Sequence, residues 1–377
     1  MSRLLQLQKC GQSYWLDNLT RTMIRNGELE RRIKDEGLRG ITSNPSTFAL
    51  ALKSGDYDAD VQRLAREGYG TDDLYEKLMV GDIQDACDLL LDLHRSSDRI
   101  DGFVSLEVSP HFAHDAAGTM REARRLRELV NRPNLFIKVP GTMAGFLAIE
   151  QLLYEGLSIN ITLLFSLSSY EAVSEAYVSA LERRLAEGRS LEDVASVASF
   201  FLSRIDRLVD QLLVQRDRPG DGRSLSAGLR GKAAVSSAKL AYRSFRQTFS
   251  GERWDRLAVK GARVQRPLWA STGTKDPAYR DVCYVEPLIG RNTVNTMPEQ
   301  TIRAFADHGE VRPNQVEQEV EQAARVIQDL AEAGIDLHCV AWQLEHEGIR
   351  QFTEAFDSAH QALEDKRRRA ITKPAAA

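Results

Sequence analysis

A chain of 377 residues with 42% hydrophobic residues can bury a large core, as one large α/β domain or two ordinary ones. Its 50 Lys and Arg against 54 Asp and Glu leave a net charge of -4, so there is no basic excess to hold nucleic acid, and 28% charged residues suit an ordinary soluble surface. Four scattered cysteines, Cys10, Cys87, Cys283 and Cys339, form no C-x-x-C pair, which argues against a zinc ribbon or a disulfide framework and for reduced thiols.

The N-terminal MSRLLQLQKCGQSYWLDN lacks an apolar stretch with a cleavage site. No later run approaches the ~20 apolar residues of a membrane span, so a cytoplasmic protein without a membrane partner is expected.

In chain order, short apolar or β-branched runs alternate with longer segments of helical period, the rhythm of repeated βα units around a parallel sheet. The predicted strands are SYWLD (13–17), GIT (40–42), GFVSLEV (102–108), LFIKV (135–139), INITLLF (159–165), VASFF (197–201), PLWAST (267–272) and YVEPLIG (284–290). Between them, AAGTMREARRLRELVN places Leu126, Leu129 and Val130 on one helical face, and SLSSYEAVSEAYVSALERRLAEG opens on serine caps and ends in glycine. The pattern predicts a (β/α)8 TIM barrel with additional outer helices and a C-terminal helical extension.

Such barrels usually take about 250 residues, so insertions are required. Residues 44–101 hold at least two helices, and RPGDGRSLSAGLRGK, within 217–232, reads as a surface loop. Beyond Gly290, NQVEQEVEQAARVIQDLAEAG and EGIRQFTEAFDSAHQALEDKRRR have helical period and are expected outside the barrel. No linker divides the chain, so one domain is expected over 1–377, with a core at about 13–310 and C-terminal helices at about 314–369.

Active sites of these barrels gather at the C-terminal ends of the strands. Strand one ends in Asp17 and Asn18, strand two in Thr42, Ser43 and Asn44; strand three carries Glu107, strand four Lys138, strand five Asn160 and Thr162. Strand six leads to Ser203 and Arg204, and strand seven ends in Ser271 and Thr272. Lys138 is the sharpest signal, because an ammonium between Ile137 and Val139 pays a desolvation penalty that calls for a reason. Schiff-base catalysis supplies one: a neutral lysine attacks a carbonyl, and the iminium draws electrons from an adjacent C–C bond as it breaks. That reaction also needs a base for the released hydroxyl proton and an acid to expel water from the carbinolamine, roles open to Asp17 and Glu107.

In order, GITSNPSTF, VSLEVSP, NLFIKVPGT, SINITLLFS and VASFFLSRID resemble the successive signatures of transaldolases, and WASTGTKDP and YVEPLIGRNTVNTMP are similar to the longer bacterial form. The resemblance runs from about Asp17 to Pro298, and TSNPS and IKVPGT are its most specific pieces. It implies a class I aldolase-like barrel of the pentose phosphate pathway, with neither metal nor organic cofactor. Such an enzyme moves a dihydroxyacetone unit from sedoheptulose 7-phosphate to glyceraldehyde 3-phosphate, giving erythrose 4-phosphate and fructose 6-phosphate. Phosphorylated sugars would be its partners, and monomer and homodimer both stay open.

By the same resemblance Lys138 is the Schiff-base lysine, Asp17 the base, Glu107 the glutamate that works with a bound water and Thr162 the residue that positions it. Thr42, Asn44, Ser46 and Asn160 would surround the donor hydroxyls and the lysine, and Ser199 and Arg204 would hold phosphate. The chain departs from the pattern after strand seven, where many transaldolases carry a second arginine. Here ASTGTKDP offers Ser271 and, as the nearest cation, Lys275.

Plainer rivals stand beside these assignments. Asp17 could cap the following helix, Glu107 could merely pair with Lys138, and SNPS could be a simple Asx turn. Arg204 could sit exposed and pair with Asp206 or Asp210, and Lys275 could cap a turn. His111 and His114 of HFAH lack a completing ligand set for a metal, and no phosphate-binding glycine loop occurs. Two other functions remain: an aldolase that releases dihydroxyacetone from fructose 6-phosphate, and a barrel kept only as a binding scaffold.

Overall fold

The computed structural model describes residues 2–53, 55–217 and 226–372, so half of the predicted 217–232 loop, residues 218–225, lies outside the described residues. Eight parallel strands close into a barrel in sequence order: β1 Gln12–Leu16, β2 Gly40–Thr42, β3 Phe103–Glu107, β4 Leu135–Pro140, β5 Ile159–Leu164, β6 Ser196–Phe201, β7 Arg266–Ala270 and β8 Thr293–Met297. Five consecutive register pairs, Gln12↔Thr293 through Leu16↔Met297, join the last strand to the first.

Seven strands fall on the predicted runs and the eighth does not. YVEPLIG forms instead a short 3-10 turn at Glu286–Leu288, where Pro287 has no N–H for a ladder, and Val285, Leu288 and Ile289 are buried around it. The true β8 is the more polar TVNTM a few residues on.

Residues two apart on a strand share one side of the sheet, so the barrel interior fills in layers. At the N-terminal floor Arg266 pairs with Asp101 at 3.0 Å and donates to the Ser13 hydroxyl at 2.6 Å. Above it sits an aromatic layer, with Phe103 and Phe136 stacked at 4.1 Å and Trp15 at 6.1 Å from Phe136. Gly40 makes that layer possible, because a Cβ there would come within 2.5 Å of the Trp15 indole. Next comes a polar layer of Ser105, Asn160 and Ser199, and above it the mouth with Asp17, Thr42, Glu107, Lys138 and Thr162.

The outer helices after β3, β4 and β5 are Ala116–Val130, Met143–Glu155 and Leu167–Ala186. Each opens on a side-chain cap, from Asp115, Thr142 and Ser166 respectively. The 44–101 insertion folds into Pro45–Lys53, Asp58–Arg66 and Thr71–Ser96.

At the C-terminus, Val320–Glu332 packs on Ala233–Thr248 outside the barrel, as expected. The last helix differs: Leu337–Thr372 is one continuous helix of 36 residues that crosses the barrel mouth. Its buried face carries Leu344, Gly348 and Phe352 toward the barrel, then Ala359 and Leu363 into an apolar cluster with Leu52, Tyr57 and Tyr75 of the insertion. Burying side chains such as Leu344, Phe352 and Leu363 is worth about 1.5–3 kcal/mol each, enough to seat the helix firmly. Among the described residues no helix is long and apolar enough to cross a membrane.

Candidate active site

Register brings the two central groups together. Glu107 and Lys138 are Cα partners on β3 and β4, both turned inward, and Lys138 Nζ lies 3.4 Å from Glu107 Oε2. Their side chains are only 6% and 7% exposed, so the pair is desolvated. Lys138 Nζ also donates to the Ser43 carbonyl at 3.3 Å, and the Phe352 ring centroid lies 5.4 Å away. Burial holds the Glu107 carboxyl above its ordinary range, with the Lys138 charge opposing.

Asp17 follows β1 and accepts a hydrogen bond from Thr42 Oγ1 at 2.9 Å; Thr42 in turn shares a 2.8 Å bond with Thr296 on β8. Burial raises the Asp17 carboxyl, while the Lys138 charge and hydrogen bonding from Thr42 pull it back. The helix-cap alternative does not hold, because Arg21–Arg25 is capped by Thr20, which accepts from the Met23 amide. Asn44, by contrast, does take up its turn role: Oδ1 accepts from the Thr47 amide and hydroxyl at 2.9 and 3.0 Å, while the residue still faces the cavity.

Lys138 and Asp17 line a cavity of about 300 Å³ at the C-terminal mouth of the barrel. Thr42, Asn44, Ser46, Thr162, Ser199, Arg204, Ser271 and Lys275 line it as well. Two expected residues do not: Glu107 stands in the wall behind Lys138, and Asn160 lies in the layer beneath. There Asn160 Nδ2 donates to Ser105 Oγ at 2.9 Å and Oδ1 accepts from Ser199 Oγ at 2.7 Å, so Asn160 orients Ser199 from below. Thr162 is buried, and among the described residues its hydroxyl has no hydrogen-bond partner.

Arg204 is half-buried, with its guanidinium 5.7 Å from the Phe201 ring centroid, and burial and the neighbouring Arg207 both weigh against its charge. Its expected surface partners are occupied elsewhere. Asp206 accepts from the Ala234 amide and the Tyr284 hydroxyl, and Asp210 from the Gly231 amide and the Tyr279 hydroxyl. Ser271, at φ 55°, bonds the Ser203 hydroxyl at 2.9 Å. Lys275 Nζ lies 3.9 Å from where a Cβ on Gly273 would sit, so its amine hangs over that glycine inside the cavity. Among the described residues neither Arg204 nor Lys275 joins a side-chain ion pair.

Thr47, Phe201, Ala270, Gly273, Thr296, Pro298 and Phe352 line the cavity without having been expected there, and Ser43, expected as a polar strand end, contacts Lys138 through its carbonyl. Phe201 had a signal, since it stands two residues past Ser199 on the same strand face. Thr296 was hidden by the misplaced eighth strand, and Phe352 by a helix expected elsewhere. The histidines of HFAH sit outside the cavity lining: His111 bonds Asp357 at 2.8 Å and His114 lies 6.1 Å from the His346 ring.

A buried amine beside one carboxylate, in a cavity that a second carboxylate lines together with two cations unpaired among the described residues, suits imine chemistry on a small anionic carbonyl compound. Residues 14–363 match the family model described as transaldolase/fructose-6-phosphate aldolase. The chain is 46% identical to transaldolase 2 of Nostoc sp., over 97% of this chain and 98% of that protein. It is 49% identical to a transaldolase of Thiobacillus denitrificans, over 95% and 97%. With a transaldolase of Saccharopolyspora erythraea the identity is 43%, over 97% and 98%. Covered from the first strand to the helix over the mouth, the chain belongs to the transaldolase/fructose-6-phosphate aldolase family.

Proposed function

We propose that this protein is a transaldolase that moves a dihydroxyacetone unit from sedoheptulose 7-phosphate to glyceraldehyde 3-phosphate, a step of the pentose phosphate pathway. The observation that carries the reading is the desolvated Lys138–Glu107 contact of 3.4 Å in the wall of a cavity that Asp17 also lines. Lys138 attacks the ketose carbonyl, and Glu107, through a water that Thr162 positions, supplies the proton with which the carbinolamine loses water. Asp17 takes the proton of the donor's C4 hydroxyl as the C3–C4 bond breaks, and the bonding pair enters the iminium to give an enamine on Lys138. The acceptor aldehyde then adds to the enamine carbon, Asp17 returns the proton, and hydrolysis frees the product.

Arg204, Ser199, Ser271 and Lys275 form the phosphate end of the cavity, with Lys275 taking the place of the family's second arginine. Thr42, Asn44 and Ser46 border the hydroxyl-bearing end. The chain works as one domain, since the C-terminal helix adds a wall to the barrel's own cavity, and its scattered free cysteines suit the cytoplasm.

Borohydride reduction in the presence of fructose 6-phosphate, followed by peptide mass mapping, tests the reading. A dihydroxyacetone-sized addition on Lys138 is expected. Folded protein that acquires no adduct there overturns the imine mechanism.

A further inference from the structure

The helix Leu337–Thr372 reaches the cavity through Phe352. In β5 the pairing register shifts between Ile161 and Leu164, and Leu163 takes φ 61°, which turns its side chain up against Gly348. A Cβ on Gly348 would stand 2.9 Å from Leu163 Cδ2, so the helix lies as near the barrel as its backbone permits. One turn later Phe352 enters the cavity. It is 7% exposed, its ring centroid is 5.4 Å from Lys138 Nζ, and among the described residues it is this helix's one contribution to the lining.

A phenyl ring at that place can neither give nor take a proton. Its face tolerates a cationic nitrogen, and its bulk keeps water from the same side. That matters after cleavage, when the enamine on Lys138 has two fates. Its nucleophilic carbon can add to an acceptor aldehyde. Alternatively that carbon takes a proton from water, a second water adds to the iminium carbon, the C–N bond breaks, and dihydroxyacetone leaves with the lysine amine restored.

The geometry points to Phe352 as the specificity-determining residue that favours the first fate over the second, an inference that rests on the imine reading above. The C-terminal helix is therefore part of the reaction's selectivity as well as of the fold.

The test uses the full chain with fructose 6-phosphate, comparing Phe352→Ala and Phe352→Leu with the parent. Three quantities are read: transfer to erythrose 4-phosphate, release of dihydroxyacetone, and deuterium in the released dihydroxyacetone when the solvent is D2O. Phe352→Ala is expected to raise the release-to-transfer ratio roughly tenfold or more, with deuterium in the product, while Phe352→Leu stays near the parent. A general loosening of the fold would lower both rates and leave the ratio alone. Should Phe352→Ala not fold, Phe352→Gln, which fills more of the space than alanine and brings a polar tip, is expected to raise the ratio in its place. An unchanged ratio in a folded variant that still takes the borohydride label on Lys138 overturns the proposal. A parent that takes no label removes the imine reading itself, and the proposal with it.

Discussion

Lys138 and Glu107 meet at 3.4 Å because their α-carbons are register partners on neighbouring strands, so the contact is set by the backbone before either side chain chooses a rotamer. The pair is desolvated, and removing one partner of such a pair typically costs about 3–5 kcal/mol, whereas replacing both can be nearly neutral. Lys138→Met is expected to lower the stability measured by urea unfolding, because it strands the buried Glu107 carboxylate, and adding Glu107→Gln to it to recover most of the loss. A double variant without that recovery would show that the two groups are not coupled. In activity, Glu107→Gln should lower kcat by about 10²–10⁴ while Lys138 still takes the borohydride label, as befits a proton donor that is not the nucleophile.

Asp17 carries the pH dependence. Its folded carboxyl is raised above the ordinary 3.8, chiefly by burial, so the folded state holds that proton more tightly than the unfolded chain does. The stability this contributes is present below about pH 4 and is lost as pH rises through the folded value, leaving ionised Asp17 as a cost at neutrality. Asp17→Asn, whose amide oxygen can still accept from Thr42, should therefore raise the melting temperature at pH 7. The gain should vanish near pH 4, and activity should fall by about 10²–10⁴ throughout. A variant that melts lower than the parent at pH 7 would contradict the sign.

These groups were legible in the sequence because each breaks a local rule. A lysine inside LFIKV and a glutamate inside VSLEV make no sense as core, and period-two alternation put Asn160 and Thr162 on one side of their strand. Strand eight was not legible, because apolarity marks burial and not conformation. YVEPLIG is buried as a turn, while TVNTM, with Thr296 facing the cavity and the Asn295 amide donating to the Tyr284 carbonyl, looks polar. The C-terminal helix shows the same limit. Its amphipathic period announces one buried face without saying what covers it, so Phe352 could not be placed near Lys138 from spacing alone.

Lys275 should behave as a phosphate cation. Its amine occupies the space above Gly273, and no carboxylate among the described residues pairs with it. A hydrogen bond to a charged group contributes about 1.5–3 kcal/mol, so Lys275→Ala should raise KM for phosphorylated donors by about 10- to 100-fold. kcat should change little, and reactions of unphosphorylated dihydroxyacetone should be unaffected. Arg204→Ala should act the same way and more strongly, since Arg204 is the more buried of the two cations. Equal losses with phosphorylated and unphosphorylated substrates would mean that these residues support the barrel mouth and not the phosphate.

Gly348 sets how closely the C-terminal helix approaches. A Cβ there would meet Leu163 Cδ2 at 2.9 Å and Arg204 Nη1 at 3.6 Å. The first is the far end of a flexible side chain, and alanine gains about 0.8–1.0 kcal/mol over glycine in a helix, so Gly348→Ala should leave stability close to the parent. Valine adds two methyl groups that Leu163 cannot clear, and overpacking of that kind costs about 1–3 kcal/mol. The helix can relieve the clash only by lifting from the mouth, which draws Phe352 away from Lys138 and crowds the Arg204 guanidinium. Gly348→Val should therefore melt lower, raise KM for phosphorylated donors and release more dihydroxyacetone per transfer, three effects that a remote packing defect would not produce together. A Gly348→Val protein with parental KM and parental release would show that the helix seats without the close approach to Leu163.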